Sequence, residues 1–490
     1  MVSRLRRAVL PISLALLGAL GCSASTDEAE SDGDTAALAE GPAAATATPP
    51  CRAWSPLGDA VAKAAAEGES TTANLFSYQN RLLQGPIVGG EAYADAMVKL
   101  IQSAKREVIF EVFILEDGWL TSRLRDAIQS LPRDLPVYVQ VSADRTVDRS
   151  SPSDDPTRPP SATQATADRV LKLLDPNRTH NVVVGGWQVT GAFGNGINHD
   201  KTSVVDRARA RVSNINLELP SDPSSRNPTT GQTWYQMAVE LQGEVARSVA
   251  FEATTAWEHV SAVASSHNNI KDGRNEKGFF ALPTLAPLAA EMPAGACLPI
   301  VSLGRELGSE DESAANAGFI ALFKNARREV HMISPNLNAF SALAALSDAT
   351  KQSDVYIVLS KGFTEKLESL PGQGGGNEEV VREHLPGMME GRGGNPCKTH
   401  IRWYARPEAP GVAVYAESEG ASHAKYASAD GQVVVVGSQN MDTQSWEVSR
   451  EFSVAIDDAP TTARFDEEWR RVWDRGECAF ECGGCPTAAN

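Results

Sequence analysis

The chain has 490 residues, 42% of them hydrophobic, which is enough to bury two cores of ordinary domain size. Its formal charge is −17, with 45 Lys and Arg against 62 Asp and Glu. No basic cluster lies beyond the first residues, so the stripe that releases counterions from a phosphate backbone is missing and nucleic acid is not the expected partner. The same balance argues against broad adhesion to an anionic membrane.

In chain order, Arg4, Arg6 and Arg7 precede an apolar run over 8–20 that ends in Gly21-Cys22. This predicts a signal peptide over 1–21, too short to be read as a spanning helix. Cys22 after a small residue also fits a lipoprotein site, which would make the product a periplasmic or outer-membrane lipoprotein; cleavage after Ala24 would instead release a secreted one. Residues 23–50 hold no Lys or Arg and little apolar surface, so 22–73 is expected to be a disordered acidic, Ala/Thr-rich tether and lead-in.

The remainder reads as two units, expected over 74–290 and 291–490. In the first, helical spacing over 93–105 is followed by an apolar run over 108–115, a helix over 121–130 and a second run over 137–141. In the second, 314–326, 330–334, 341–350 and 355–359 repeat that order. Alternating strands and helices predict an α/β layer with central strands buried on both faces. Irregular insertions follow the second strand of each unit, at 144–166 and 369–398, and are expected to rim one shared cleft at the carboxyl ends of the strands.

Each unit then carries the same short pattern. Asn198-His199-Asp200-Lys201 leads to Asp206, and Ser422-His423-Ala424-Lys425 leads to Asp430. An apolar stretch and an Asn follow in each, Asn216 and Asn440. The register is shared beyond the pattern: His199 follows Ala104 of Ala104-Lys105-Arg106-Glu107-Val108 by 95 positions, and His423 follows Ala326 of Ala326-Arg327-Arg328-Glu329-Val330 by 97. A lone His on a strand is more often a core residue, and His180, His259, His267, His331, His384 and His400 are read so.

This paired H-x-K-x4-D with a trailing Asn resembles the phospholipase D superfamily over about 93–473. The resemblance implies an α/β fold of two phospholipase D-like repeats, each a mixed sheet flanked by helices, packed pseudo-symmetrically as a monomer with an internal pseudo-dimer and one active site between them. It implies a phosphodiesterase acting through a phosphohistidine without metal or other cofactor. One His attacks phosphorus, the other protonates the leaving oxygen, and Lys201, Lys425, Asn216 and Asn440 cradle the phosphate oxygens. Asp206 and Asp430 come an odd number of residues after their His and Lys, so on a strand they face away and brace the scaffold.

The family also places an acid behind each catalytic His. Glu451 in Ser449-Arg450-Glu451-Phe452 stands at one such position, whereas Gln236 in Trp234-Tyr235-Gln236 replaces an aspartate at the other, and Ser213-Asn214 replaces a glycine pair before Asn216. The expectation is that Glu451 backs His423 and makes it the acid, while Gln236 backs His199 and leaves it the nucleophile.

The expected substrate is a phospholipid, with water or an alcohol as acceptor and membrane contact through a lipidated Cys22. A cardiolipin synthase-type transphosphatidylase, a nuclease of the same superfamily and a catalytically impaired phosphate- or lipid-binding protein are the alternatives. Apart from Cys22, six cysteines remain (Cys51, Cys297, Cys397, Cys478, Cys482, Cys485), an even number that predicts disulfides in an oxidising compartment rather than zinc in the Cys-rich tail.

Overall fold

The computed structural model describes residues 53–68, 75–143, 161–187, 196–227, 231–266, 297–307, 309, 313–363 and 372–485. The expected signal peptide, Cys22, Cys51 and the tether over 23–50 lie outside these residues, as does most of the first insertion.

The strands, in chain order, are β1 (Phe76–Ser77), β2 (Asn80–Val88), β3 (Val108–Ile114), β4 (Val137–Ala143), β5 (Val182–Trp187), β6 (Thr202–Val205), β7 (Arg209–Ser213), β8 (Met237–Gly243) and β9 (Val260–Ser265). The second series is β10 (Ile300–Arg305), β11 (Glu329–Ser334), β12 (Asp354–Leu359), β13 (Thr399–Trp403), β14 (Tyr426–Ala429), β15 (Val433–Gly437), β16 (Glu451–Asp457) and β17 (Glu477–Phe480). One sheet runs β2-β8-β7-β6-β3-β4-β5-β9 and the other β1-β10-β16-β15-β14-β11-β12-β13-β17. Apart from β1, strand for strand the orders coincide, with β3-β4-β5 and β11-β12-β13 parallel and the other pairings antiparallel. The mixed α/β repeats are therefore as expected, and the Cys-rich tail supplies β17, the counterpart of β9.

Alternation along the strands builds the layers. Val108, Phe110 and Val112 of β3 point into the outer core of the first repeat, whereas Ile109 points the other way, into a core shared by both repeats. Val433 and Val435 of β15 join the outer core of the second repeat, and Val434 and Val436 join the shared one. Strands apolar on both faces are what two sheets packed front to front require. The two repeats form one compact unit. Among the described residues no helix is long and apolar enough to cross a membrane.

Two expectations need correction. Part of the supposedly disordered 22–73 is a helix, Pro56–Glu67, capped by the Ser55 hydroxyl with Pro56 in its first turn. Its Leu57, Val61, Ala62 and Ala65 join the outer core of the second repeat, and β1 pairs with β10, so the start of the segment expected to be the first repeat belongs to the second sheet. The second insertion is largely helical rather than irregular, through Asn377–Glu379, a π-helical turn Val380–His384 and Leu385–Arg392. Phe251 is 40% exposed on the helix Glu244–Ala256.

Described cysteines are disulfide-bonded as expected: Cys397 to Cys482, Cys478 to Cys485, and Cys297 as well. The noncatalytic reading of other histidines also has a local basis. His331 is buried, 2.9 Å from Asp466 and stacked on Trp469, and His400 is held by Glu481.

Candidate active site between the repeats

Each pattern straddles the start of a strand. His199 and Lys201 precede β6, and His423 and Lys425 precede β14; only the residues after the Lys enter the ladder. The strand then ends at the motif Asp, which takes a left-handed backbone (φ 55° at Asp206, 56° at Asp430). Asp206 accepts hydrogen bonds from the backbone N–H groups of Lys105, Arg106 and Glu107, and Asp430 from those of Arg327, Arg328 and Glu329. These aspartates thus tie the Ala104 and Ala326 turns to the far end of their strands and act as braces. They are not among the residues that converge on the cleft.

The His-Lys ends are stitched across the two repeats by matched backbone bonds. His199 N–H donates to Arg450 O, and Arg450 N–H to Ile197 O; His423 N–H donates to Tyr235 O, and Tyr235 N–H to Ala421 O. In each case the residue after the stitch faces the His of the other repeat. Glu451 Oε1 lies 2.8 Å from His199 Nδ1, and Gln236 Nε2 lies 2.9 Å from His423 Nδ1. The expected pairing is therefore reversed: the carboxylate backs His199 and the amide backs His423. Reading each repeat as self-contained caused the error, because the stitch exchanges the two backing residues.

The lysines follow the same symmetry. Lys201 Nζ donates to His199 O at 2.6 Å and Lys425 Nζ to His423 O at 2.8 Å, leaving further N–H groups on each ammonium. Asn216 Nδ2 donates to Glu218 Oε1 at 2.6 Å and Asn440 Nδ2 to Asp442 Oδ2 at 2.7 Å, so each amide keeps one hydrogen for a ligand. Sequence reasoning missed Glu218 and Asp442, although both stand two residues after their Asn and so carried a repeat signal.

Burial governs the electrostatics. His199, Lys201, His423, Lys425, Asn216, Asn440, Gln236 and Glu451 are all buried. Burial pulls the Lys201 pKa down to about 8 against the neighbouring Glu451 and Asp200, and burial with the Lys201 charge pulls Lys425 well below its ordinary value. His199 is held below the ordinary imidazole value by burial, which together with Lys201 and Lys425 outweighs Glu451. Glu451, despite burial, is kept ionised by His199, Lys201 and the Ser438 hydroxyl, 2.5 Å away.

Aromatic rings line both sides. The Phe113 ring meets His199 edge-on at 5.1 Å and lies 5.4 Å from Lys201 Nζ; Trp234 and Phe363 flank His423 at 4.8 and 5.3 Å. In the sequence Phe113 and Phe363 carry no signal of their own. The changed glycine pair also has a local reason. A Cβ at Gly437 would strike Ser453 and Phe452, whereas Ser213 at the matching position faces Ala238.

The second insertion borders this site. Asn377 donates to Pro335 O and Ser360 O, Asn338 Nδ2 to Gly375 O, and Asn338 Oδ1 accepts from Thr443 N–H, three residues from Asn440. The first insertion over 144–160 lies outside the described residues.

Two mixed sheets packed front to front, each contributing one His-Lys-Asn set to a common cleft, define a two-repeat fold of the phospholipase D type. Residues 319–473 match the sequence profile of the family described as "Cardiolipin synthase, PLD-like domain". The matched stretch lies within the second repeat. Its fold is similar to that of phosphatidylserine synthase from Haemophilus influenzae Rd KW20, with TM-score 0.55 and 14% identity over 85% of this chain and 91% of that one. A phospholipase D family member, Nuc from Salmonella typhimurium, aligns with 36% of this chain and 96% of its own, at 18% identity and TM-score 0.26. No curated protein sequence matches the chain.

Proposed function

We propose that the protein is a phospholipase D-like phosphodiesterase that hydrolyses or transfers the head group of a phospholipid through a phosphohistidine. The observation that carries this reading is the convergence of two buried His-Lys-Asn sets, each His backed by a residue of the other repeat. The acidic balance of the chain favours a lipid over nucleic acid.

A diester needs a nucleophile on one side of phosphorus, an acid for the leaving oxygen on the other, and donors for the non-bridging oxygens. His199 suits the first task. Glu451 takes its Nδ1–H and turns the Nε2 lone pair outward, while burial and two lysines keep the ring neutral. Nε2 attacks phosphorus, the bond to the head-group oxygen breaks, and His423 gives that oxygen its proton. Water or an alcohol then attacks the phosphohistidine, returns a proton to His423 and releases His199. Glu451 offsets the positive charge on the phosphorylated ring, and Lys201, Lys425, Asn216 and Asn440 hold the oxygens. The roles are those expected from sequence, but the reason is replaced: the nucleophile is the His with the carboxylate.

Export and membrane contact through the N-terminal segment are part of the same proposal, since they would bring the cleft to its substrate. The test is release of a soluble head group, such as choline, from phospholipid vesicles, with DNA as a parallel substrate. Head-group release lost in His199→Asn supports the proposal, and cleavage of DNA alone overturns it.

A further inference from the structure

On the opposite side of the stitch from His199 and Glu451 lies a second pair, made by their immediate neighbours in sequence. Asp200 separates His199 from Lys201, and Arg450 directly precedes Glu451. Arg450 Nε lies 3.3 Å from Asp200 Oδ2, both side chains fully buried. The rest of the guanidinium is also engaged. Nη2 lies 2.6 Å from Glu252 Oε1 and donates to Glu252 O and Thr255 Oγ1, and Nη1 reaches Glu306. Asp200 and Glu252 come from the first repeat, Glu306 and Arg450 from the second.

Among the described residues, the other half of the site has no matching charged pair. Ala424 stands in the place of Asp200, and Tyr235 in the place of Arg450, its hydroxyl directed to Glu468. One histidine is thus backed by a carboxylate whose neighbour is clamped by charges from both repeats. The other is backed by a neutral amide without a clamp.

We propose that Arg450 is a positioning residue for the His199–Glu451 pair. Its backbone carbonyl holds His199 and its side chain fixes the point from which Glu451 extends. A planar guanidinium hydrogen-bonded at both Nη atoms and ion-paired with Asp200 at Nε has a preferred orientation that a lysine ammonium cannot reproduce. Small misplacements of a reacting group are costly in rate, on the order of 100-fold for 1 Å. A clamp of this kind belongs where the nucleophile sits.

The kinetic arm of the test rests on the function proposed above, and the spectroscopic arm does not. In the full-length chain, Arg450→Lys keeps the charge and loses the fork. We expect kcat to fall at least about tenfold with KM little changed. Adding it to Glu451→Gln should cost nothing further, because the clamp acts through Glu451. NMR titration of labelled imidazoles should show that His199 loses proton affinity by about tenfold as Glu451 drifts away, while His423 is unmoved. Asp200→Asn, nearly the same shape, should shift both readouts in the same direction by a smaller factor, and serves if the lysine variant does not fold. Losses that add in the double variant, or an unchanged His199 titration in whichever variant folds, would overturn the assignment and leave Arg450 as glue between the repeats. A native chain that turns over no phosphodiester would sink the proposed function, yet the titration would still decide the role of Arg450.

Discussion

Glu451 of the second repeat and His199 of the first meet at 2.8 Å, and the serine hydroxyl of Ser438 holds the second carboxylate oxygen. The carboxylate and the burial of the ring act on His199 in opposite senses, and burial prevails. The ring is therefore neutral down to a pH below its ordinary value of 6.5.

Glu451→Gln removes the influence that raises the His199 pKa and leaves those that lower it. The acid limb of kcat/KM, set by His199 in the free protein, should move to lower pH, while kcat falls by about 10- to 100-fold through loss of the charge that stabilises the phosphohistidine. A pH–rate profile checks the sign. An acid limb that moves upward would refute the account.

The two histidines should be labelled unequally. Rapid quenching without acid during turnover, followed by peptide mapping, is expected to place phosphate on the His199 peptide. Phosphate on the His423 peptide alone would exchange the roles.

The buried lysines cost stability while they are charged. With the Lys201 pKa lowered to about 8 from 10.5, the unfolded chain binds the proton more tightly across that interval, so this group's contribution to stability rises as pH climbs from about 8 to 10.5. Lys201→Met should abolish turnover and yet stabilise the fold at pH 7 by about 1–3 kcal/mol. Denaturant titration of native and variant chains measures both effects.

Asp206→Ala and Asp430→Ala should do the converse. Each removes an acceptor shared by three backbone N–H groups, at a cost of about 1–3 kcal/mol. The loss should appear as a lower denaturation midpoint, with activity per folded molecule retained within a few fold. A collapse of kcat in a stable Asp206→Ala protein would return that aspartate to the site.

Much of this was legible in the sequence because it is local and repeated. The strands β3, β4, β11 and β12 are apolar runs at matching offsets, and the His, Lys and Asn of each set recur in register. Even the bracing aspartates could be told from the His and Lys of each set by their spacing. The exchange of Glu451 and Gln236 was not legible, because it depends on how one repeat docks on the other and no local pattern records that. Helix Pro56–Glu67 did carry its signals, with Ser55 before Pro56 and Leu57, Val61 and Ala65 at helical intervals. The Ala-rich composition around it hid them. Asp442 and Glu218 were hidden differently: their part is to hold another side chain, and a carboxylate near a turn looks like any solvated one.

The N-terminal helix has a consequence for the order of events during synthesis. Its cap residue Ser55 gives both its backbone N–H and its hydroxyl to Asp457, and its apolar face rests on the second repeat. This helix must therefore wait for partners made some 400 residues later. Contacts so distant along the chain form late. Until the last strands exist, helix Pro56–Glu67 lacks the surface it rests on, and its docking marks completion of the fold.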